Sequence, residues 1–120
     1  MVSLKDNIYS MNLNEYQEKA LITALYDQKY KVIYPALGLG NEAGEVLGKV
    51  KKWLRGDDGA DVLSEERRQA LKDEIGDVLW YLAVLARDLD LSLEEIGQAN
   101  IEKLKSRLER NALHGDGDKR

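Results

Sequence analysis

The chain has 120 residues, 43% of them hydrophobic and 33% charged, which fits a single domain of the usual size, roughly 100–150 residues. Its 18 basic and 22 acidic residues give a net charge of −4, and this balance argues against a nucleic-acid polymer as partner. The absence of cysteine excludes disulfides, thiolate metal sites and thiol nucleophiles. The single histidine, His114, excludes sites built from several imidazoles within one chain.

The first half of the chain predicts two helices, because good helix formers dominate and the only proline is Pro35. Asn12 or Asn14 caps the first helix, which is expected to end within residues 30–35. Since a residue that precedes proline disfavours helical backbone, the second helix is predicted to begin just after Pro35. Its apolar ridge is Leu39, Ala43, Val46, Leu47, Val50, Trp53 and Leu54. The Gly- and Asp-rich residues 55–61 then form a loop.

The second half predicts two more helices. Ser64 caps the third helix, which runs to about Leu89 and is apolar on every side over residues 78–86. Such a helix lies among other helices, so it is the central element. Ser92 and Glu95 form a capping box that begins the fourth helix. The fold class is therefore all-α, with a core of the four-helix-bundle type.

The chain is interpreted as one domain over residues 1–120, in which residues 111–120 form a non-helical tail. Residues 1–9 lack the apolar core of a signal sequence, and the apolar run 78–86 is far shorter than the ~20 residues that span a bilayer. We therefore expect a soluble, cytoplasmic protein with no membrane partner. A dimer is the minimum assembly, because so short a chain has few helices with which to cover an all-round apolar one.

Two acidic pairs are the chemical feature of the sequence. The second helix carries Glu42 and Glu45 and the third carries Glu74 and Asp77, each pair spaced i, i+3 and offset in the same sense from its apolar ridge. In neighbouring antiparallel helices this offset brings the four carboxylates to one place. Their mutual repulsion is relieved by a hard divalent cation, and magnesium, for which manganese could substitute, is the expected one.

An ordinary solvated helix face is the alternative interpretation of these pairs, with Glu45 bound to Lys49 at i, i+4. Two features favour a site. Asp77 directly precedes the apolar run, where an unpaired charge is costly. Gly40, Gly44 and Gly48 recur along one side of the second helix, which indicates either a close approach of a ligand or backbone, or tight helix packing. A di-iron carboxylate bundle is disfavoured, because its Glu-x-x-His motif is absent.

The motifs Glu42-x-x-Glu45 and Glu74-x-x-Asp77, with residues 46–73 between them, resemble the signature of the MazG-like nucleotide pyrophosphohydrolases of the all-α NTP pyrophosphatase superfamily. The surrounding segments 38–46, 73–82 and 99–104 agree with it. The resemblance covers nearly the whole chain, from Tyr16 to the C-terminal tail.

This resemblance implies magnesium-dependent hydrolysis of nucleoside or deoxynucleoside triphosphates between the α and β phosphates, which yields a monophosphate and pyrophosphate and serves to clean the nucleotide pool. It implies a homodimer or homotetramer. Glu42, Glu45, Glu74 and Asp77 would be metal ligands or, for one of them, the base that orients water.

The same resemblance places Asn100 and Lys103 at the nucleotide or its phosphates, with Arg107 a weaker candidate. Lys49 is a further candidate cation, although a solvated charged face explains it equally well. Residues 115–120 could fold over a neighbouring site or form a frayed terminus. The functional alternative is a non-catalytic helical module that oligomerises and binds nucleotide weakly or not at all.

Overall fold

The computed structural model describes residues 10–120, and this part of the chain forms four α-helices and no strand. The helices are α1 (Leu13–Ala20), α2 (Ile33–Leu54), α3 (Glu65–Asp88) and α4 (Leu93–Glu109). The all-α prediction is confirmed. The expectation about residues 1–9 lies outside the described residues. Within residues 10–120, no helix combines the length and the apolar character needed to cross a membrane.

Helix α1 begins as predicted but ends early. The Asn12 side chain accepts a hydrogen bond from the Glu15 N–H at 2.9 Å, and the Glu15 carboxylate accepts from the Asn12 N–H in return. The predicted end within residues 30–35 is wrong, because the helix stops at Ala20. The Thr23 hydroxyl and the Trp80 indole N–H both donate to the Ala20 carbonyl, which a longer helix would use for its own ladder.

Helix α2 begins at Ile33, so the prediction that it starts after Pro35 is also wrong. Val32 forms a tight turn with φ 69° and ψ −49°, closed by a hydrogen bond from the Ile33 N–H to the Lys31 carbonyl at 2.8 Å. This turn starts the helix two residues ahead of the proline. Pro35 then lies in the first helical turn, where its missing N–H leaves no helical bond unmade.

Helix α3 begins after Ser64, whose side chain accepts from the Arg67 N–H at 3.1 Å, and ends at Asp88, one residue before the predicted end. It packs against α1, α2 and α4, which confirms its central place. The loop before it is fixed by Arg67, which donates two hydrogen bonds to Asp58 at 2.9 and 3.1 Å.

The small core lies where α1, α3 and the start of α4 meet. It contains Ala20, Ala83, Ala86 and Leu93. Buried Gln17 joins the three helices, because its amide donates to the carbonyls of Ala83 and Leu91 and its oxygen accepts from the Leu93 N–H. All these bonds measure 3.0–3.1 Å. The Ser92 hydroxyl accepts from the Glu95 N–H at 3.0 Å, which is one of the two hydrogen bonds of the predicted capping box at the start of α4.

Candidate metal centre

Three acidic side chains meet where α2 packs against α3. One oxygen from each of Glu42, Glu74 and Asp77 lies within 4.8 Å of the others. Glu45 is exposed and lies outside this group. Glu45 has the same i, i+3 spacing from Glu42 that Asp77 has from Glu74, so helical rotation alone does not account for its place outside the group. The structure therefore brings together three of the four predicted carboxylates.

The two neighbouring carboxylates make the ionisation of Glu42 more costly. The pKa of Glu42 is raised, first by its partial burial and then by the charge of Asp77 and a hydrogen bond with Glu74. A hydrogen bond between two carboxyl groups requires a proton on one of them. Without a cation, Glu42 therefore keeps its proton to a higher pH than an isolated glutamate does.

Lys49 supplies part of the missing positive charge. Its ammonium group lies 3.7 Å from Glu74 Oε1, and both side chains are largely buried. The sequence offered Glu45 as its partner along α2, but the structure pairs it with Glu74 across the helix interface. At this distance the contact is ionic rather than a hydrogen bond. One lysine does not neutralise three carboxylates.

Oxygen donors in this arrangement fit a hard divalent cation. Ligand oxygens around one Mg²⁺ lie about 3–4 Å apart, so a small side-chain rotation suffices to close a group now spread over 4.8 Å. The group contains no nitrogen or sulfur donor, which favours magnesium over softer metals. His114, the single histidine, is exposed in the C-terminal tail.

Two tyrosine rings, Tyr34 and Tyr81, form an aromatic wall beside the carboxylates. The sequence analysis did not predict the contact between Tyr81 and Gly38 that positions it. The Tyr81 ring lies so close to Gly38 that a Cβ there would be 2.0 Å from Cε1 of the ring. Tyr34 packs beside it, with ring centroids 6.3 Å apart. Burial, then the hydrogen bond and charge of Tyr34, then the charges of Glu42 and Asp77 raise the pKa of Tyr81 to about 12. Its hydroxyl therefore stays protonated at neutral pH.

The signal for this wall was present in the spacing. Gly38 lies four residues before Glu42 on α2, and Tyr81 lies four residues after Asp77 on α3. Each is therefore one turn away from a carboxylate, on nearly the same helix face. Four other glycines of α2 and α3 differ, because a Cβ at Gly40, Gly44, Gly48 or Gly76 would meet no described atom within 4 Å. Within one chain, no close approach explains these four.

The predicted nucleotide-binding residues of α4 have their described polar contacts elsewhere. Lys103 lies 3.0 Å and Arg107 3.2 Å from the carboxylate of Asp118 in the C-terminal tail. Asn100 is exposed on the same helix. Their roles at a nucleotide stay predictions, as do the individual roles of the four carboxylates.

Comparison with known proteins places this arrangement in a family. The family model for the MazG nucleotide pyrophosphohydrolase domain matches residues 35–111, which include Glu42, Glu45, Glu74 and Asp77. The chain is 43% identical to the Gene 37 protein of Mycobacterium phage L5 over 116 residues, which cover 92% of this chain and 100% of that protein.

It is also 38% identical to the uncharacterized protein YvdC of Bacillus subtilis (strain 168) over 74 residues, 59% of this chain and 70% of that protein. No solved structure gives a significant match. The family match spans well over half of the chain and contains its acidic site. The chain therefore belongs to the MazG nucleotide pyrophosphohydrolase family.

Proposed function

We propose that this protein hydrolyses nucleoside or deoxynucleoside triphosphates between the α and β phosphates, in a magnesium-dependent reaction that releases a monophosphate and pyrophosphate. The observation that supports it is the group formed by Glu42, Glu74 and Asp77, whose oxygens lie within 4.8 Å of one another. Like charges held this close disfavour folding unless a ligand uses them. The family supplies the reaction class, and the carboxylates supply the cation site that this reaction needs.

In this proposal the chain's own residues position the substrate. Glu42, Glu74 and Asp77 hold Mg²⁺, and Glu45 is either a further ligand or the residue that orients water. When bound, the cation neutralises the phosphates and lowers the pKa of a bound water. Phosphoryl transfer depends on such charge neutralisation and positioning more than on covalent catalysis, so neither cysteine nor a central histidine is required.

The cations named from the sequence complete the substrate site in this proposal. Lys49 is already beside Glu74 at 3.7 Å, so it can exchange its carboxylate partner for a phosphate oxygen. Asn100, Lys103 and Arg107 contact the base or the phosphates from α4. We place the reaction in the cytoplasm, where nucleoside triphosphates are found.

We further propose that the protein works as a homodimer or homotetramer. The radius of gyration is 17.4 Å, whereas a compact domain of this length has roughly 14 Å. The outer face of α2 exposes Leu37 and Leu47, each 70% accessible, beside the unobstructed Gly40 and Gly44. A second copy packed on this face would cover the leucines and account for the glycines.

The direct test is a panel of normal and modified triphosphates incubated with the protein and Mg²⁺ or Mn²⁺, with products resolved by ion-pair chromatography. A monophosphate and pyrophosphate are expected from at least one substrate. Asp77→Asn should abolish turnover, whereas Asp73→Asn, an equal charge change at an exposed position of the same helix, should not. Absence of both products with every substrate would contradict the proposal.

Calorimetric titration with Mg²⁺ separates the enzyme from a non-catalytic helical module. With no nucleotide present to chelate Mg²⁺, the enzyme should bind the cation saturably, and Glu42→Gln should weaken that binding. A module predicts no saturable binding and no difference between the variants. The crowded carboxylates favour the first outcome.

A further inference from the structure

The C-terminal tail folds back onto α4 instead of extending from it. After Glu109 the chain reverses at Asn111, whose φ is 54°, and the Ala112 N–H donates to the Arg107 carbonyl at 2.6 Å. Near the end of the tail, the Arg110 guanidinium donates to the Arg120 carbonyl at 2.9 Å. These contacts return the tail to the helix that it has just left.

The returning segment brings one carboxylate onto two cations. Asp118 Oδ1 lies 3.0 Å from Lys103 Nζ and 3.2 Å from Arg107 Nη2. The same Arg107 nitrogen also donates to the Asp118 carbonyl. The hydrogen bond from Lys103, followed by the one from Arg107, lowers the pKa of Asp118. Its carboxylate is therefore charged at neutral pH.

The two sides of this contact differ in burial. The Arg107 side chain is only 5% exposed, and its buried Nε has no hydrogen-bond partner within residues 10–120. The Asp118 side chain is 81% exposed. A buried guanidinium needs a counter-charge, but an exposed carboxylate gains little from an ion pair, because water screens and solvates it. The cation site is therefore fixed in the fold, and its anion is the replaceable part.

We propose that Asp118 is an internal competitor, which occupies an anion site formed by Lys103 and Arg107 until the phosphates of the substrate displace it and release the tail. This inference rests on the proposed function for the identity of the displacing anion. A polyphosphate carries several negative charges where Asp118 carries one, and both lysine and arginine bind phosphate oxygens. The tail is then a strap that opens as the nucleotide binds.

The test uses inorganic tripolyphosphate without metal, titrated calorimetrically into the full chain. Asp118→Asn removes the competing charge, and Asp116→Asn makes the same change two residues away in the same exposed tail. We expect Asp118→Asn to bind tripolyphosphate about 3- to 10-fold more tightly than the wild type, and Asp116→Asn to stay within about 2-fold of it. In an Asp118→Asn, Lys103→Gln double variant, most of this gain should disappear.

A second measurement on the unaltered protein follows the tail itself. Tripolyphosphate should accelerate amide hydrogen exchange in residues 111–120, because a displaced tail loses its contacts with α4. Equal affinities of Asp118→Asn and Asp116→Asn would overturn the inference. So would weaker binding by Asp118→Asn, which would show that Asp118 positions the cations, or no binding by any variant.

These outcomes are independent of turnover. If no triphosphate is hydrolysed but Asp118→Asn still tightens tripolyphosphate binding, the proposed reaction fails and the competing tail stands. If hydrolysis occurs and the two tail variants bind tripolyphosphate equally, the proposed reaction stands and the competing tail fails.

Discussion

Helix α3 carries two acidic regions, which differ in how far their negative charge is balanced by hydrogen-bond donors and cations. Near its middle, Glu74 and Asp77 face Glu42 across the helix interface, and Lys49 is the one cation paired with them among the described residues. At its C-terminal end, the fully buried Asp88 carboxylate has a partner on every side. The Tyr26 hydroxyl, the Val32 N–H at 2.9 Å and Arg87 Nε at 2.9 Å all donate to it.

The contrast separates a structural carboxylate from one that we propose to be functional. Burial alone would raise the pKa of Asp88, but the hydrogen bonds from Tyr26, Val32 and Arg87 outweigh it and lower that pKa. At Glu42, burial and neighbouring charges act in the same direction and raise the pKa. Asp88 therefore stabilises the fold, because it holds the strained turn at Val32 that starts α2. The acidic group at Glu42 costs stability, as expected of the cation site in the proposed function.

The largest expected effect comes from Asp77→Asn, which removes one charge from the functional region. We expect kcat/KM to fall about 100-fold or more, since the loss of one electrostatic contact at a reacting centre has that order of effect. Thermal stability should stay equal or rise, because a repulsive charge has been removed. Asp73→Asn removes the same charge elsewhere on α3, so a difference between the two variants reports the position of Asp77 and not the change in net charge. A variant that loses activity only by unfolding would contradict the assignment.

Asp88→Ala should destabilise the fold, because it removes the acceptor of the hydrogen bonds at the C-terminal end of α3. We expect a loss of about 2–3 kcal/mol in the free energy of unfolding, because the Val32 N–H and the Arg87 guanidinium lose a buried acceptor. Denaturant unfolding measures this loss, with Asp73→Ala as an exposed control on the same helix. Activity per folded molecule should be retained at low temperature. A change below about 0.5 kcal/mol, as at an ordinary surface site, would refute this role.

Two glycines of α2 should respond in opposite directions to the same methyl group. Gly38→Ala places a Cβ against the Tyr81 ring, so we expect destabilisation of about 1 kcal/mol or more and reduced activity as the ring moves. Gly44→Ala meets nothing within the chain, so at low protein concentration it should stabilise the helix by up to about 1 kcal/mol. Equal effects in denaturant unfolding would contradict the wall formed by Tyr81.

The sequence predicted what depends on neighbouring residues. The caps at Asn12, Ser64 and Ser92 are local hydrogen bonds, and the approach of the acidic pairs follows from i, i+3 geometry on two antiparallel helices. The predicted end of α1 and the predicted start of α2 were wrong. Both boundaries depend on contacts with Trp80 and Asp88, which lie far away along the chain. No local pattern reports such contacts.

The candidate site was likewise predictable only where it depends on spacing within a helix. The meeting of Glu42, Glu74 and Asp77 follows from helical spacing, but the same spacing did not indicate that Glu45 lies outside their group. The pairing of Lys49 with Glu74 depends on the register of α2 against α3, which a side-chain pattern within one helix does not fix. Helical spacing therefore predicts which residues share a face, and tertiary packing decides which of them touch.

Glu42→Gln should have the smallest effect on stability of these variants, because Glu42 is only half-buried and solvent screens much of its repulsion. The direction of the effect, however, follows directly from the pKa of Glu42. Its folded-state pKa lies above the unfolded value, so folding favours the protonated form. The resulting loss of stability is absent below the ordinary carboxyl pKa and complete once the pH exceeds the raised one. Asp88 has the opposite sign, since its stabilisation is lost as the pH falls through its lowered pKa.

Melting temperatures measured from pH 3.5 to 7.5 test this sign. Glu42→Gln should melt above the wild type at neutral pH and together with it at the acidic end, whereas Glu102→Gln, on the exposed surface of α4, should follow the wild type throughout. Saturating Mg²⁺ should reverse the order at neutral pH, because the cation binds only the folded state and needs the carboxylate. An order that Mg²⁺ leaves unchanged would mean that the repulsion at Glu42 serves no cation.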